Sequence, residues 1–143
     1  MSVVYLYALI FAAGLTMAVQ PAINGTLSVR TGTIEGVLVS FGVGTLIMAA
    51  IVIFFGKGNI RAVSDVPLWQ LTGGLYGAFF VVAITFVVPR LGVTTSMIIL
   101  IAAQIIASLV IDHFGLLGMA AIPIDLKKLA GIVLLMAGVF LAA

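Results

Sequence analysis

The chain has 143 residues, of which 64% are hydrophobic and 7% are charged, with a formal net charge of +2 at pH 7 and a mean hydropathy of +1.44. Soluble domains carry about 25% charged residues, and a chain of this length cannot bury so much apolar surface in one soluble core. The composition therefore excludes a soluble globular domain and predicts an all-α integral membrane protein. The basic residues are scattered, which argues against a nucleic-acid partner.

The residue types also limit the chemistry of the chain. It contains no cysteine and one histidine, which excludes disulfide bonds, thiol catalysis and cysteine-ligated metal sites. The sequence shows no nucleophile–base set and no glycine-rich phosphate-binding loop. We therefore expect a protein that is not an enzyme and that binds no metal or cofactor.

The apolar runs predict five transmembrane helices in a single transmembrane domain that covers residues 1–143. About 20 helical residues cross the hydrocarbon core of a bilayer, and the fifth predicted helix is short for this purpose. The predicted helices cover about 3–23, 34–56, 68–88, 91–111 and 127–143.

The first predicted helix carries a polar stripe near its end. Thr16, Gln20 and Asn24 are four residues apart and share one face. Because lipid satisfies no hydrogen bonds, this face should meet protein or water. We predict that Gln20 and Asn24 line a polar cavity, although they could instead cap a helix end. Pro21 predicts a kink or the end of the helix.

The second predicted helix begins with a carboxylate and continues with small residues. Glu35 in the first turn would complement the helix dipole, and the alternative is a titratable site for substrate or protons. Gly36, Ser40 and Gly44 are four residues apart, which is typical of a face that packs closely on another helix. We predict that Ser40 also reaches the cavity wall.

The third predicted helix carries a glycine pair and ends at a proline. Gly73 and Gly77 form a GxxxG pattern, which indicates helix packing without specifying the partner. Pro89 should end the helix, because the residue before a proline avoids the α region. Pro67 suits a helix start.

The fourth predicted helix has a polar face in an otherwise apolar run. Gln104, Ser108 and Asp112 are four residues apart and share one side. We predict that Gln104 and Ser108 line the same polar cavity. Asp112 and His113 could form a proton relay, or they could be boundary residues in water or headgroups.

Residues 114–125 are apolar but contain Gly115, Gly118 and Pro123, so they form either a loop or a re-entrant segment. In the fifth helix, Gly131 and Gly138 repeat at seven residues, which favours helix pairing either between subunits or within one.

Basic residues give a weak orientation signal. With the N-terminus in the cytoplasm, four basic residues lie in the inner loops (Lys57, Arg61, Lys127 and Lys128) and two in the outer loops (Arg30 and Arg90). So small a difference is compatible with insertion in both directions.

Several segments together resemble the YdcZ-like family of bacterial inner-membrane proteins, part of the drug/metabolite transporter superfamily. They are VQPAIN, VSFGVGT, GGLYGAFFV, VPRLG and AAQIIASLVIDHFGLLG, and they occur in the family's order over nearly the whole chain. Two departures are Ala103, where the family usually has glycine, and Pro21, where it tends to have alanine.

The resemblance implies a half-size transporter in the inner (plasma) membrane. A five-helix half would pair with an oppositely oriented copy, or with a paired homologous subunit, to form a complete path. We therefore expect a secondary transporter for small molecules that works as an antiparallel, dual-topology homodimer with alternating access to a polar cavity near the bilayer midplane. The alternatives are a passive channel for small solutes, and a structural or regulatory membrane subunit of another protein.

Overall fold

The computed structural model describes residues 3–142, and within that range the chain is helical with no strand. The prediction of an all-α membrane protein is confirmed in this respect. Ala143, the last residue of the predicted fifth helix, lies outside the described residues. The α-helices are α1 Val3–Thr31, α2 Thr33–Phe55, α3 Gly73–Leu91, α4 Val93–Phe114 and α5 Leu126–Ala142, with short 3-10 helices at Ile60–Asp65, Leu68–Thr72 and Leu116–Gly118.

Among the described residues, four segments are long and apolar enough to cross a membrane: Val3–Thr31, Thr33–Phe55, Leu68–Leu91 and Val93–Phe114. The remaining helix, α5, has 17 residues, which is about 25 Å of helix. A fifth membrane crossing therefore stays a prediction.

The chain divides into two compact units, one that ends at Arg90 and one that begins at Leu91. The first contains α1, α2 and α3 as far as Arg90, and the second contains α4 and α5. A single transmembrane domain that includes both stays a prediction.

The predicted end of the first helix, near residue 23, is wrong. The helix continues through Pro21 and ends at Thr31. The hydroxyl groups that follow the proline bond to carbonyls of their own helix: Thr26 donates to Ala22 O at 3.0 Å and Ser28 donates to Gly25 O at 2.8 Å. Because these hydroxyls form hydrogen bonds with carbonyls of their own helix, a polar stretch need not end the helix.

The predicted bounds of the third and fourth helices also differ from the structure. Residues Leu68–Thr72 form a 3-10 helix, so α3 begins at Gly73, and it passes Pro89 before it ends at Leu91. A proline this close to the end removes a single helical hydrogen bond. Helix α4 begins at Val93 and extends to Phe114. Helices α2 and α5 lie within one residue of their predicted ranges.

Single glycines interrupt the helical path at two points. Gly32, between α1 and α2, has φ 94° and ψ 153°, and Gly92, just before α4, has φ 80° and ψ 163°. This backbone region is essentially restricted to glycine. Gly32 still donates to Ser28 O at 2.9 Å, and its own carbonyl accepts from Gly36 N at 3.0 Å. The chain thus leaves one helix and enters the next within one residue.

The segment between α4 and α5 contacts the end of α4. Gly115 adopts the left-handed conformation that commonly follows a helix. Ile122 N then donates to Asp112 O at 2.7 Å. The Asp125 carboxylate accepts from Lys128 N at 2.6 Å, which is the geometry of an N-cap for α5.

The turn at Gly32 generates a test of stability. A Cβ at this position would enter the Glu35 carboxylate, and φ is positive, so Gly32→Ala should destabilise the chain by about 1–3 kcal/mol. Gly42→Ala is the matched control, because a Cβ there meets nothing within 4 Å. Thermal unfolding in detergent should show a lower Tm for Gly32→Ala alone, and equal Tm values for the two variants would contradict this account of the turn.

Candidate functional site

The first unit has an open groove of about 680 Å³ to which both α1 and α2 contribute. Helix α1 supplies Gln20, and α2 supplies Ser40, Gly44 and Thr45. The other described lining residues are apolar, and none is ionisable: Phe41, Met48, Ala49, Val52, Ile53 and Ile60. An amide and two hydroxyls among apolar side chains can orient a neutral amphiphilic molecule.

This groove brings together two of the predicted cavity residues, Gln20 and Ser40. The small residues that are four apart on α2 have different surroundings. A Cβ on Gly36 would lie 3.1 Å from Thr31 Oγ1 and 3.4 Å from Ser28 Cα, so α2 packs closely on the end of α1 there. A Cβ on Gly44 would meet nothing within 4 Å. Gly36 therefore serves packing, whereas Gly44 leaves space in the groove.

Asn24 does not line this groove but is buried, with 3% of its surface exposed, and its Nδ2 has no hydrogen-bond partner among the described residues. Thr85 on α3 is 0% exposed, and its Oγ1 also has no hydrogen-bond partner in the part of the chain that the structure describes. A buried polar group without a partner destabilises a fold by about 1–3 kcal/mol. Sequence reasoning missed Thr85, although a threonine four residues before Pro89 is visible in the sequence and marks a point where the helix loses a hydrogen bond.

Glu35 lies in the first turn of α2. Its position fits the interpretation as a partner of the helix dipole. It also lines a separate recess of about 480 Å³ with Val82 and Phe86 of α3. The Arg90 guanidinium lies 3.6 Å above the Phe86 ring and donates to the Phe86 carbonyl. A role for Glu35 as a titratable site stays a prediction.

The second unit has its own groove, of about 250 Å³. Ser108 and Asp112 of α4 line it with Lys128 of α5, among aliphatic side chains. Gln104 is exposed and His113 instead packs edge-on against Phe114, with ring centroids 4.8 Å apart. The structure thus places Asp112 with Ser108 and Lys128 rather than with His113. The roles predicted for Gln104, Ser108, Asp112 and His113 stay predictions.

The other glycines predicted for helix packing have open space around them. A Cβ on any of the four would meet nothing within 4 Å, and these residues are Gly73, Gly77, Gly131 and Gly138. Their small surfaces are therefore available to lipid or to another chain, and their role in packing stays a prediction.

Comparison with known proteins decides the family. Residues 5–141 match the family described as "Putative inner membrane exporter, YdcZ". The chain belongs to this YdcZ family. It is 31% identical over 143 residues to "Inner membrane protein YdcZ" of Escherichia coli (strain K12), an alignment that covers 95% of this chain and 93% of the relative. No solved structure matches the chain.

Membership of the YdcZ family confirms the predicted family and the predicted location. With several apolar helices long enough to span a bilayer and a relative named as an inner membrane protein, the chain is a multi-pass protein of the inner membrane. The family description is consistent with membrane transport. Within the described part of the chain, no group of three or more His, Asp or Glu side chains could hold a metal ion.

Proposed function

We propose that the chain is a secondary transporter of small molecules, not an enzyme, and that it acts as an antiparallel homodimer with alternating access to a polar cavity near the bilayer midplane. The observation that carries this proposal is the open groove of about 680 Å³ in which Gln20 and Ser40 stand among apolar side chains. Membership of a family described as an exporter supports it.

The chemistry of the groove indicates its cargo. Gln20 offers both donors and an acceptor, and the hydroxyls of Ser40 and Thr45 can do either. These groups can exchange hydrogen bonds with a molecule as it loses water. Since the groove lining carries no charge, a bare ion would enter without a compensating partner. We therefore propose neutral, amphiphilic small molecules as cargo.

Two features support pairing with an inverted copy. The basic residues are split four to two between the predicted inner and outer loops, which specifies orientation weakly. The glycine faces at Gly73–Gly77 and Gly131–Gly138 are open, and such faces allow close helix–helix approach in membranes. Opposed copies create the inverted symmetry on which alternating access is built in many transporters.

The orientation of the chain tests the homodimer. The native sequence has no cysteine, so Ser64→Cys and Ala120→Cys each introduce one thiol, in exposed segments after α2 and after α4. Intact cells treated with an impermeant maleimide should label each variant to about half of the total found after permeabilisation, because the weak charge bias inserts both orientations.

A charge variant is the matched control for this labelling. Replacing Arg30 and Arg90 with serine removes both basic residues of the predicted outer loops, and the difference rises from four minus two to four minus zero. This change should place nearly every N-terminus in the cytoplasm and protect Ser64→Cys from the reagent. If the parent variants are instead fully labelled or fully protected, the chain has one orientation, and a homologous partner subunit must replace the second copy.

The groove itself is tested by filling it. Gly44→Leu should reduce transport by at least about ten-fold, because the new side chain occupies space that the cargo needs, while the Tm stays near the wild-type value. Gly42→Leu is the control, since it also meets nothing within 4 Å and does not line the groove. The assay is growth of expressing cells against a panel of neutral amphiphilic inhibitors. Equal resistance from both variants would exclude the groove as the route.

A further inference from the structure

The buried faces of α1 and α3 meet near the ends of these two helices. A Cβ on Gly25 would lie 3.3 Å from Pro89 Cγ and 3.6 Å from Val88 Cγ1. Asn24 is the neighbour of Gly25 in sequence, and Thr85 is three residues, about 4.5 Å of helix, from Val88. Both unpartnered side chains therefore lie within about one turn of the same contact.

A proline lies within about one helical turn of each of these two residues. Because proline has no N–H, the Thr85 carbonyl receives no helical hydrogen bond from Pro89, and the Met17 carbonyl receives none from Pro21. Pro21 is itself fully buried. Thr85 thus combines a hydroxyl without a partner and a main-chain carbonyl without its helical donor.

This region contains both a hydrogen-bond donor and a hydrogen-bond acceptor that lack partners within residues 3–142. The Asn24 Nδ2 requires an acceptor. The Thr85 carbonyl can accept a hydrogen bond that Pro89, without an N–H, does not donate. A hydroxyl group supplies both at once. The other buried side chains on the two faces are uncharged, so an ion would find no counter-charge among them: Pro21, Val81, Ile84 and Val88.

We propose that Asn24 and Thr85 form a buried binding site for one uncharged hydroxyl group, which is carried by a small cargo molecule or by water. The cargo part of this inference rests on the proposed transport function and adds a second contact point, apart from the groove of Gln20 and Ser40. Thr85 becomes a binding residue that the sequence pattern did not indicate.

Cysteine reactivity tests whether the site admits water and solutes. Asn24→Cys, Thr85→Cys and the control Val81→Cys are made in the cysteine-free chain; Val81 is 6% exposed and lies on the same face of α3. Methyl methanethiosulfonate is the probe, since it reacts with thiolate, which forms in water. The first two variants should react about ten times faster than Val81→Cys. Equally slow reaction of all three would overturn the site.

Glycerol distinguishes the two sources of the hydroxyl. If a solute occupies the site, glycerol should slow the reaction of Thr85→Cys more than that of the exposed control Ser64→Cys. If both rates change equally, water is the occupant. Either result identifies the group that Asn24 and Thr85 bind.

A stability measurement provides an independent test. Thr85→Val replaces the hydroxyl with a methyl group of similar shape. If the hydroxyl has no partner within the folded chain, its removal should raise the Tm in detergent by about 3 °C. A lower Tm together with slow reaction of Thr85→Cys would show that the hydroxyl bonds within the protein and that no water reaches it, which would overturn the site. Neither cysteine reactivity nor Tm depends on transport. If the chain transports nothing, the proposed function is overturned, but these two measurements still decide whether the site exists.

Discussion

The absence of hydrogen-bonding solvent in the hydrocarbon core is the constraint on which the rest of the structure depends. Every main-chain N–H and C=O at membrane depth needs a partner in the protein. Long helices provide those partners, and the side-chain hydroxyls of Thr26 and Ser28 donate hydrogen bonds to main-chain carbonyls of α1. Exceptions to this rule are therefore informative, and they concentrate around Pro21 and Pro89 in the first unit.

The helices could be predicted where composition changes sharply at their ends. Helix α2 is bounded by Gly32 and Gly56, and α5 begins directly after its capping Asp125, so these ranges agree with the structure within one residue. Helices α1 and α3 differ more, because rules for proline describe average helices. A proline whose lost hydrogen bond lies near a helix end, as at Pro89, or on a buried face, as at Pro21, leaves the helix intact.

The candidate site was harder to predict for a different reason. Spacing along one helix shows which residues share a face, and the prediction that Gln20 and Ser40 line a cavity started from such spacing. It does not show where two helices cross. Gly36 lies in close contact with α1, whereas Gly44 has open space around it, although both belong to the same series of small residues four apart on α2. Nor does spacing show that Thr85 is 0% exposed, because burial depends on packing as well as on position in the sequence.

The turn at Gly32 sets the angle between α1 and α2. One residue joins α1 to α2, so two backbone dihedral angles set the angle between them. Gln20 is 12 residues from Gly32, which is about 18 Å of helix, and a rotation of about 10° at Gly32 displaces that level by about 3 Å, the diameter of a water molecule. The far end of α2 would move roughly twice as far. The width of the groove thus depends on the backbone dihedral angles of Gly32 and on the nearby contact of Gly36 with Ser28 and Thr31.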